Sequence, residues 1–131
     1  MWNLFLDDLR SPSEAVNTLG VKHWVIARSV SEAKRLVEVR RAPSVISFDH
    51  DLGPEEDNNG YAFAKWLVEK DLEYLETYKD FLPTHFQFQV HSANLIGAKN
   101  IEGLLNNWLN YKKIITTEEL VTLKELLKET T

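Results

Sequence analysis

Residues 44–53 read SVISFDHDLG, an apolar run from Ser44 to Phe48 that stops at the cluster Asp49-His50-Asp51 and passes into a Leu-Gly-Pro loop. A short run rich in β-branched and aromatic side chains, preceded by Pro43 and closed by charge, predicts a buried strand whose carboxyl end is polar. The same pattern lies on both sides of it. Trp2 to Leu6 is an apolar run that stops at Asp7-Asp8, and Phe86 to Val90 is one that stops at His91-Ser92-Ala93-Asn94. His23 to Ala27 adds a shorter strand between the first two.

Helices are expected between these strands. Ser11-Pro12-Ser13-Glu14 offers an N-cap, a proline at the first helical position and a glutamate three residues after the cap, predicting a helix to Leu19 that stops at Gly20. Ser29-Val30-Ser31-Glu32 repeats the capping box, and Val30, Ala33, Leu36 and Val37 keep helical spacing to about Arg41. From Tyr61 the spacing of Phe63, Ala64, Leu67 and Val68 predicts a helix reaching toward Leu75. Ile101, Leu104, Leu105, Trp108 and Leu109 form another apolar stripe, and Thr116 with Glu119 caps a last helix over about 116–129. Lys112 to Ile115 is a candidate fifth strand. Alternating strands and helices imply right-handed crossovers. The fold class is α/β: a three-layer, doubly wound, mostly parallel sheet of four or five strands in the order 2-1-3-4, within a single domain spanning 1–131.

Composition narrows the function. A chain of 131 residues that is 44% hydrophobic can bury one continuous core. Nothing in it approaches a membrane span or a signal peptide, so a cytoplasmic protein is expected. With no cysteine, there is neither a disulfide framework nor a thiol nucleophile, and metal chemistry must use oxygen or imidazole. A net charge of -5 argues against sequence-independent binding to duplex DNA but allows a small phosphate held through a cation.

In open parallel sheets, ligands sit at the carboxyl ends of the strands, where the order reverses. With the first and third strands adjacent, Asp7, Asp8, Asp49 and Asp51 converge there. Taken singly, each loop acid could cap a turn; together they repel unless something neutralises them, and a divalent cation is the simplest candidate. Oxygen ligands favour Mg²⁺ or Mn²⁺, and His50 or His91 would shift the preference toward Mn²⁺ or Zn²⁺. His91 is placed either to move a proton at a reacting oxygen or to satisfy a backbone carbonyl. His50, flanked by two aspartates, reads as an orienting group, while His23 and His85 read as structural. Arg10 can return over the crevice to a phosphate or a carboxylate, and Asn94 and Lys99, near a helix start, are further candidates for phosphate contacts.

The strand ending in Asp7-Asp8, the strand ending in Asp49, Gly60 opening a helix, and Ser92-Ala93 after the fourth strand resemble the receiver domains of response regulators. That resemblance implies Mg²⁺ on the acidic pair and Asp49, with Asp49 as phosphoacceptor and Ser92 as the matching hydroxyl. The lysine expected after a fifth strand has no counterpart, and Asp51 and His91 are additional groups. LFLDDLRSP, ISFDHDLG, NGYAFAKWL and VHSANLIGAKNIEGLL are similar to the signatures of cyclic-phosphate-processing receiver domains, from about Asn3 to Leu109. The site of that family and its company with RNA-repair proteins imply action on a cyclic phosphate, such as the 2′,3′-cyclic phosphate of a nucleotide or an RNA 3′ end. Carried over, Asp7, Asp8, Asp49 and Asp51 would be metal and catalytic carboxylates, and His50, His91 and Ser92 reacting or orienting groups. Asp49 would act as metal ligand or as nucleophile. The competing expectations are a non-enzymatic phosphoacceptor or ligand-sensing module and, from Asp49-His50-Asp51, a haloacid-dehalogenase-type phosphatase.

Overall fold

The computed structural model describes residues 1–115 together with Thr122, Glu125 and Leu126. Four strands, β1 (Asn3–Leu6), β2 (Val25–Ala27), β3 (Val45–Phe48) and β4 (Gln87–Val90), form a parallel sheet in the order β2-β1-β3-β4. Three helices accompany them: α1 (Val30–Arg40), α2 (Gly60–Leu75) and α3 (Leu95–Ile114). This is the doubly wound α/β fold of receiver and flavodoxin-like domains, with the strand order read from the sequence. No helix among the described residues is long and apolar enough to cross a membrane.

Each helix begins where its cap dictates. Ser29 accepts from Glu32 N at 3.1 Å, Asn59 from Ala62 N at 2.8 Å and Asn94 from Gly97 N at 2.9 Å. Leu4, Leu6, Ile46 and Phe48, on one face of the sheet, share a buried cluster with Val37 of α1, Leu67 of α2 and Ile101 and Leu105 of α3. On the other face, Phe5 and Ser47 are met by His91, and Gln89 by residues 16–18.

Two expected elements are corrected. The helix expected from Pro12 to Leu19 is a single 3₁₀ turn, Pro12–Glu14, and Ser11 makes no side-chain cap bond. Beyond it the polar backbone is used elsewhere: Thr18 N donates to Gln89 Oε1, Val16 O accepts from Gln89 Nε2, and Asn17 bonds the Val21 backbone through both side-chain polar atoms. Val16, Asn17 and Thr18 are also poor helix formers, so competing bonds prevail. The candidate fifth strand is absent because Lys112–Ile114 form the end of α3, with Ile115 N bonded to Tyr111 O. The last helix, expected over about 116–129, falls outside the described residues except for the three named above.

Lys112 is drawn into the helix end by Asp71, a fully buried carboxylate on α2. Its Oδ1 accepts from the backbone amides of Phe81 and Leu82, and its Oδ2 from Trp108 Nε1 at 2.9 Å and Lys112 Nζ at 2.8 Å. Asp71 therefore ties α2, α3 and the chain entering β4 together. Asp71→Ala leaves these donors unpaired and should cost about 3 kcal/mol in denaturant unfolding. Burial alone would lower the Lys112 ammonium, but Asp71 and Asp80 outweigh it and hold its pKa above 10.5. A raised folded-state pKa contributes stability below the unfolded value and loses it as pH rises through the folded one. The melting temperature should therefore decline above about pH 10.5, with a shallower alkaline decline in Lys112→Met.

Candidate functional site

Parallel register carries the site. Leu6 pairs with Phe48, and Phe48 with Val90. One residue further, the ladder continues as Asp49 N to Leu6 O and His91 N to Phe48 O, each 2.9 Å, while Asp7 N reaches Ala27 O at 3.1 Å. Asp7, Asp49 and His91 thus stand side by side at the carboxyl edge, all buried. One ligand atom from each lies within 4.8 Å of the others, so this group could hold a metal ion. Two carboxylates and an imidazole have the chemistry for it.

Asp7 accepts four hydrogen bonds: Oδ1 from Leu9 N and Arg10 N, and Oδ2 from Arg10 Nε and His91 Nε2, both at 3.0 Å. Burial pushes its pKa up, but these donors and the Arg10 charge more than compensate, leaving it below the ordinary value. Asp49 moves the other way. Burial raises it, and the nearby Asp7 charge adds to that, against hydrogen bonds from Ser92 and His50 N. Neighbouring carboxylates with opposite shifts divide the labour of staying ionised and of accepting a proton.

Arg10 spans them. Its guanidinium lies 3.0 Å from Asp7, 3.8 Å from Asp49 and 3.1 Å from the His91 carbonyl. Arg28 Nη1 in turn holds the carbonyls of Asp7 and Arg10. His91 has both ring nitrogens engaged, Nε2 by Asp7 and Nδ1 by Ser47 at 2.7 Å, and its ring stacks on Phe5 at 4.5 Å between centroids. Burial lowers its pKa despite Asp7.

The remaining sequence candidates are placed around this core. Asp51 is exposed at the rim; its Oδ1 lies 2.8 Å from His50 Nδ1, and its carboxylate receives the Asn94 amide. Hydrogen bonds from His50 and Asn94 lower Asp51 despite slight burial. Asn94 also caps α3, so both ends of its side chain are committed. Nε2 of His50 has no hydrogen-bond partner among the described residues. Asp8, half-buried beside Asp7, and Lys99, exposed on α3, are not brought into the buried group.

Ser47, Gln89 and Arg28 were not among the sequence candidates. Ser47 and Gln89 did leave a signal: each is a polar residue inside an apolar strand, two positions before Asp49 and His91, and therefore on the same face.

A family model for the Cyclic-phosphate processing Receiver domain matches residues 2–107, and the chain belongs to that family. No curated protein and no solved structure matches it.

Two glycines let the elements close on the site. A Cβ at Gly60 would overlap the Asp49 carbonyl, and one at Gly97 would overlap the His50 ring. Gly60→Ala should therefore cost about 2–3 kcal/mol. Gly103→Ala in mid-α3, where an added Cβ meets nothing within 4 Å, should be neutral or gain about 0.5–1 kcal/mol. Denaturant unfolding of the pair distinguishes close approach from backbone entropy.

Proposed function

We propose that the protein is a phosphoesterase that opens cyclic phosphodiesters by metal-dependent hydrolysis, acting on the 2′,3′-cyclic phosphate of a nucleotide or an RNA 3′ end. Membership of a family of receiver domains in cyclic-phosphate processing supports the substrate class. The observation that carries the reading is the buried Asp7–Asp49 pair, followed in the chain by His50, whose Nε2 has no hydrogen-bond partner among the described residues. Asp7 and Asp49 would hold Mg²⁺ or Mn²⁺, which would supply charge neutralisation at phosphoryl oxygens and acidify a bound water.

The chain's own groups account for the proton movements. Asp49, whose burial favours the protonated form, takes a proton from the attacking water as the P–O bond to that water forms. Breaking the ring P–O bond leaves a sugar alkoxide that needs a proton. His50 Nε2 is the donor we assign, with Asp51 on Nδ1 orienting the ring. His91, to which the sequence reading gave this role, has a side chain only 1% exposed and both nitrogens bonded, which suits it to hold Asp7. Arg10, partly exposed beside both carboxylates, offers guanidinium donors to a phosphoryl oxygen.

Phosphorus NMR of 2′,3′-cyclic nucleotide and of RNA ending in a cyclic phosphate, with Mg²⁺, Mn²⁺ or chelator, tests the reading. Ring opening should require metal and disappear in Asp49→Asn. His50→Gln should lower kcat by about 10²–10⁴, with a smaller loss in Asp51→Asn. Undiminished turnover in Asp49→Asn would sink the assignment. A second reading, a phosphoacceptor module, is favoured by the Ser92 hydroxyl on Asp49. It predicts labelling of Asp49 by acetyl phosphate from folded protein that opens neither substrate.

A further inference from the structure

The direction of every hydrogen bond leading to His91 can be deduced from backbone groups that cannot reverse. The Thr18 backbone N–H can only donate and the Val16 carbonyl can only accept. Gln89 sits between them, with Oε1 2.9 Å from Thr18 N and from Thr18 Oγ1, and Nε2 2.7 Å from Val16 O. Turned over, its amide would set N–H against N–H and oxygen against oxygen. Its orientation is fixed, and its second N–H therefore donates to Ser47 Oγ at 2.9 Å.

Ser47 is fully buried and has one hydrogen to give. Its other hydrogen-bond partner is His91 Nδ1, 2.7 Å away, so Nδ1 must accept. The ring proton then belongs on Nε2, which donates to Asp7 Oδ2 at 3.0 Å. Asp7 imposes the same answer from the far side. As a carboxylate already receiving Leu9 N, Arg10 N and Arg10 Nε, it has only acceptor capacity to offer the imidazole.

We propose that the backbone of residues 16–18, acting through Gln89 and Ser47, fixes His91 as an Nε2–H donor to Asp7, making His91 a positioning residue for that carboxylate and not a ligand of the cation. Spacing alone would admit His91 to the ligand group. Ligation through Nε2 requires that nitrogen to be bare, however, which moves the proton to Nδ1 and leaves the buried Ser47 hydroxyl hydrogen without an acceptor. The ring cannot swing aside freely, because it lies within 3° of parallel on Phe5. The cation is then held through oxygen alone, which selects Mg²⁺ over Zn²⁺. That last step rests on the metal reading above, whereas the tautomer rests only on hydrogen-bond directions.

The test is nitrogen NMR of the histidine rings in the full chain, recorded before any cation or substrate is added and again with Mg²⁺ or Zn²⁺. The expected spectrum has His91 protonated at Nε2 and bare at Nδ1, unchanged by Mg²⁺. Gln89→Glu, in its ionised form, gives the Ser47 hydroxyl an acceptor in place of the amide donor and reverses the chain, although it also sets an oxygen against Val16 O. It should move the proton to Nδ1 and raise Zn²⁺ affinity relative to Mg²⁺ by about tenfold or more. Should that variant not fold, Ser47→Ala serves: Nδ1 should shift to the position of an unbonded nitrogen while the Nε2 proton remains. A wild-type His91 protonated at Nδ1, loss of its Nε2 proton on adding Mg²⁺, an unchanged tautomer in folded Gln89→Glu, or an unmoved Nδ1 signal in Ser47→Ala would each overturn the proposal. Because the first spectrum precedes cation and substrate, failure of cyclic-phosphate hydrolysis leaves this result independently readable.

Discussion

Parallel pairing of β1, β3 and β4 without offset is the constraint on which the rest depends. It aligns Leu6, Phe48 and Val90, and one step later it must align whatever follows them. Because side chains alternate, Asp7, Asp49 and His91 emerge on the face opposite those apolar residues, directly beyond Phe5, Ser47 and Gln89. Two rows result, a charged one at the edge and a supporting one beneath it. A slip of one residue in any pairing would turn a carboxylate into the apolar face and a core side chain into the crevice. The apolar contacts of Leu6 and Phe48 with the helices therefore hold the site geometry as well as the core.

Alignment brings two acids together, and the surroundings keep them chemically distinct. Asp7 is surrounded by donors that stabilise its charge, whereas Asp49 has fewer to set against its burial. The loop after β1 supplies most of the difference, since Leu9 N, Arg10 N and Arg10 Nε all turn back onto Asp7. Arg28 fixes that loop by taking the carbonyls of Asp7 and Arg10. The Arg10 guanidinium already stands between the carboxylates and neutralises part of their charge.

Much of this was legible in the sequence, for identifiable reasons. Apolar runs closed by charge marked β1, β3 and β4, and Ser29 with Glu32 marked the start of α1, because strand burial and helix capping are local. Strand order rested on placing the first and third strands side by side, as the receiver-like resemblance implies. The helix expected from Pro12 to Leu19 failed because its backbone bonds Gln89, far along the chain, and local capping signals carry no trace of that competitor. Lys112 was misplaced in a strand because its partner Asp71 is likewise distant. Asp7 and Asp49 were recognised as a pair, but the wider group of four acids assumed that adjacent acids share a direction. Asp8 lies past the end of β1 and outside the group formed by Asp7, Asp49 and His91, and Asp51 is drawn out to His50 and Asn94.

The two histidines illustrate why a site must be read from hydrogen bonds after it has been located from sequence. His91 lies in the charged row and looks the more reactive, yet burial, Ser47 and Asp7 consume both nitrogens. His50, one residue past Asp49, has one nitrogen oriented by a carboxylate and the other without a partner among the described residues. Receiver folds transfer phosphoryl groups with carboxylate and cation, and fold alone does not distinguish storing a phosphoryl group from releasing a sugar oxygen. Release requires a proton delivered to the departing atom, and storage does not. The proposed hydrolysis therefore turns on the rim pair His50–Asp51 more than on the buried triad. Gly97 supports that distinction, since α3 approaches so closely beneath the His50 ring that a single methyl group would displace it. Packing of this kind holds an imidazole in one place, as proton delivery to a bound substrate requires.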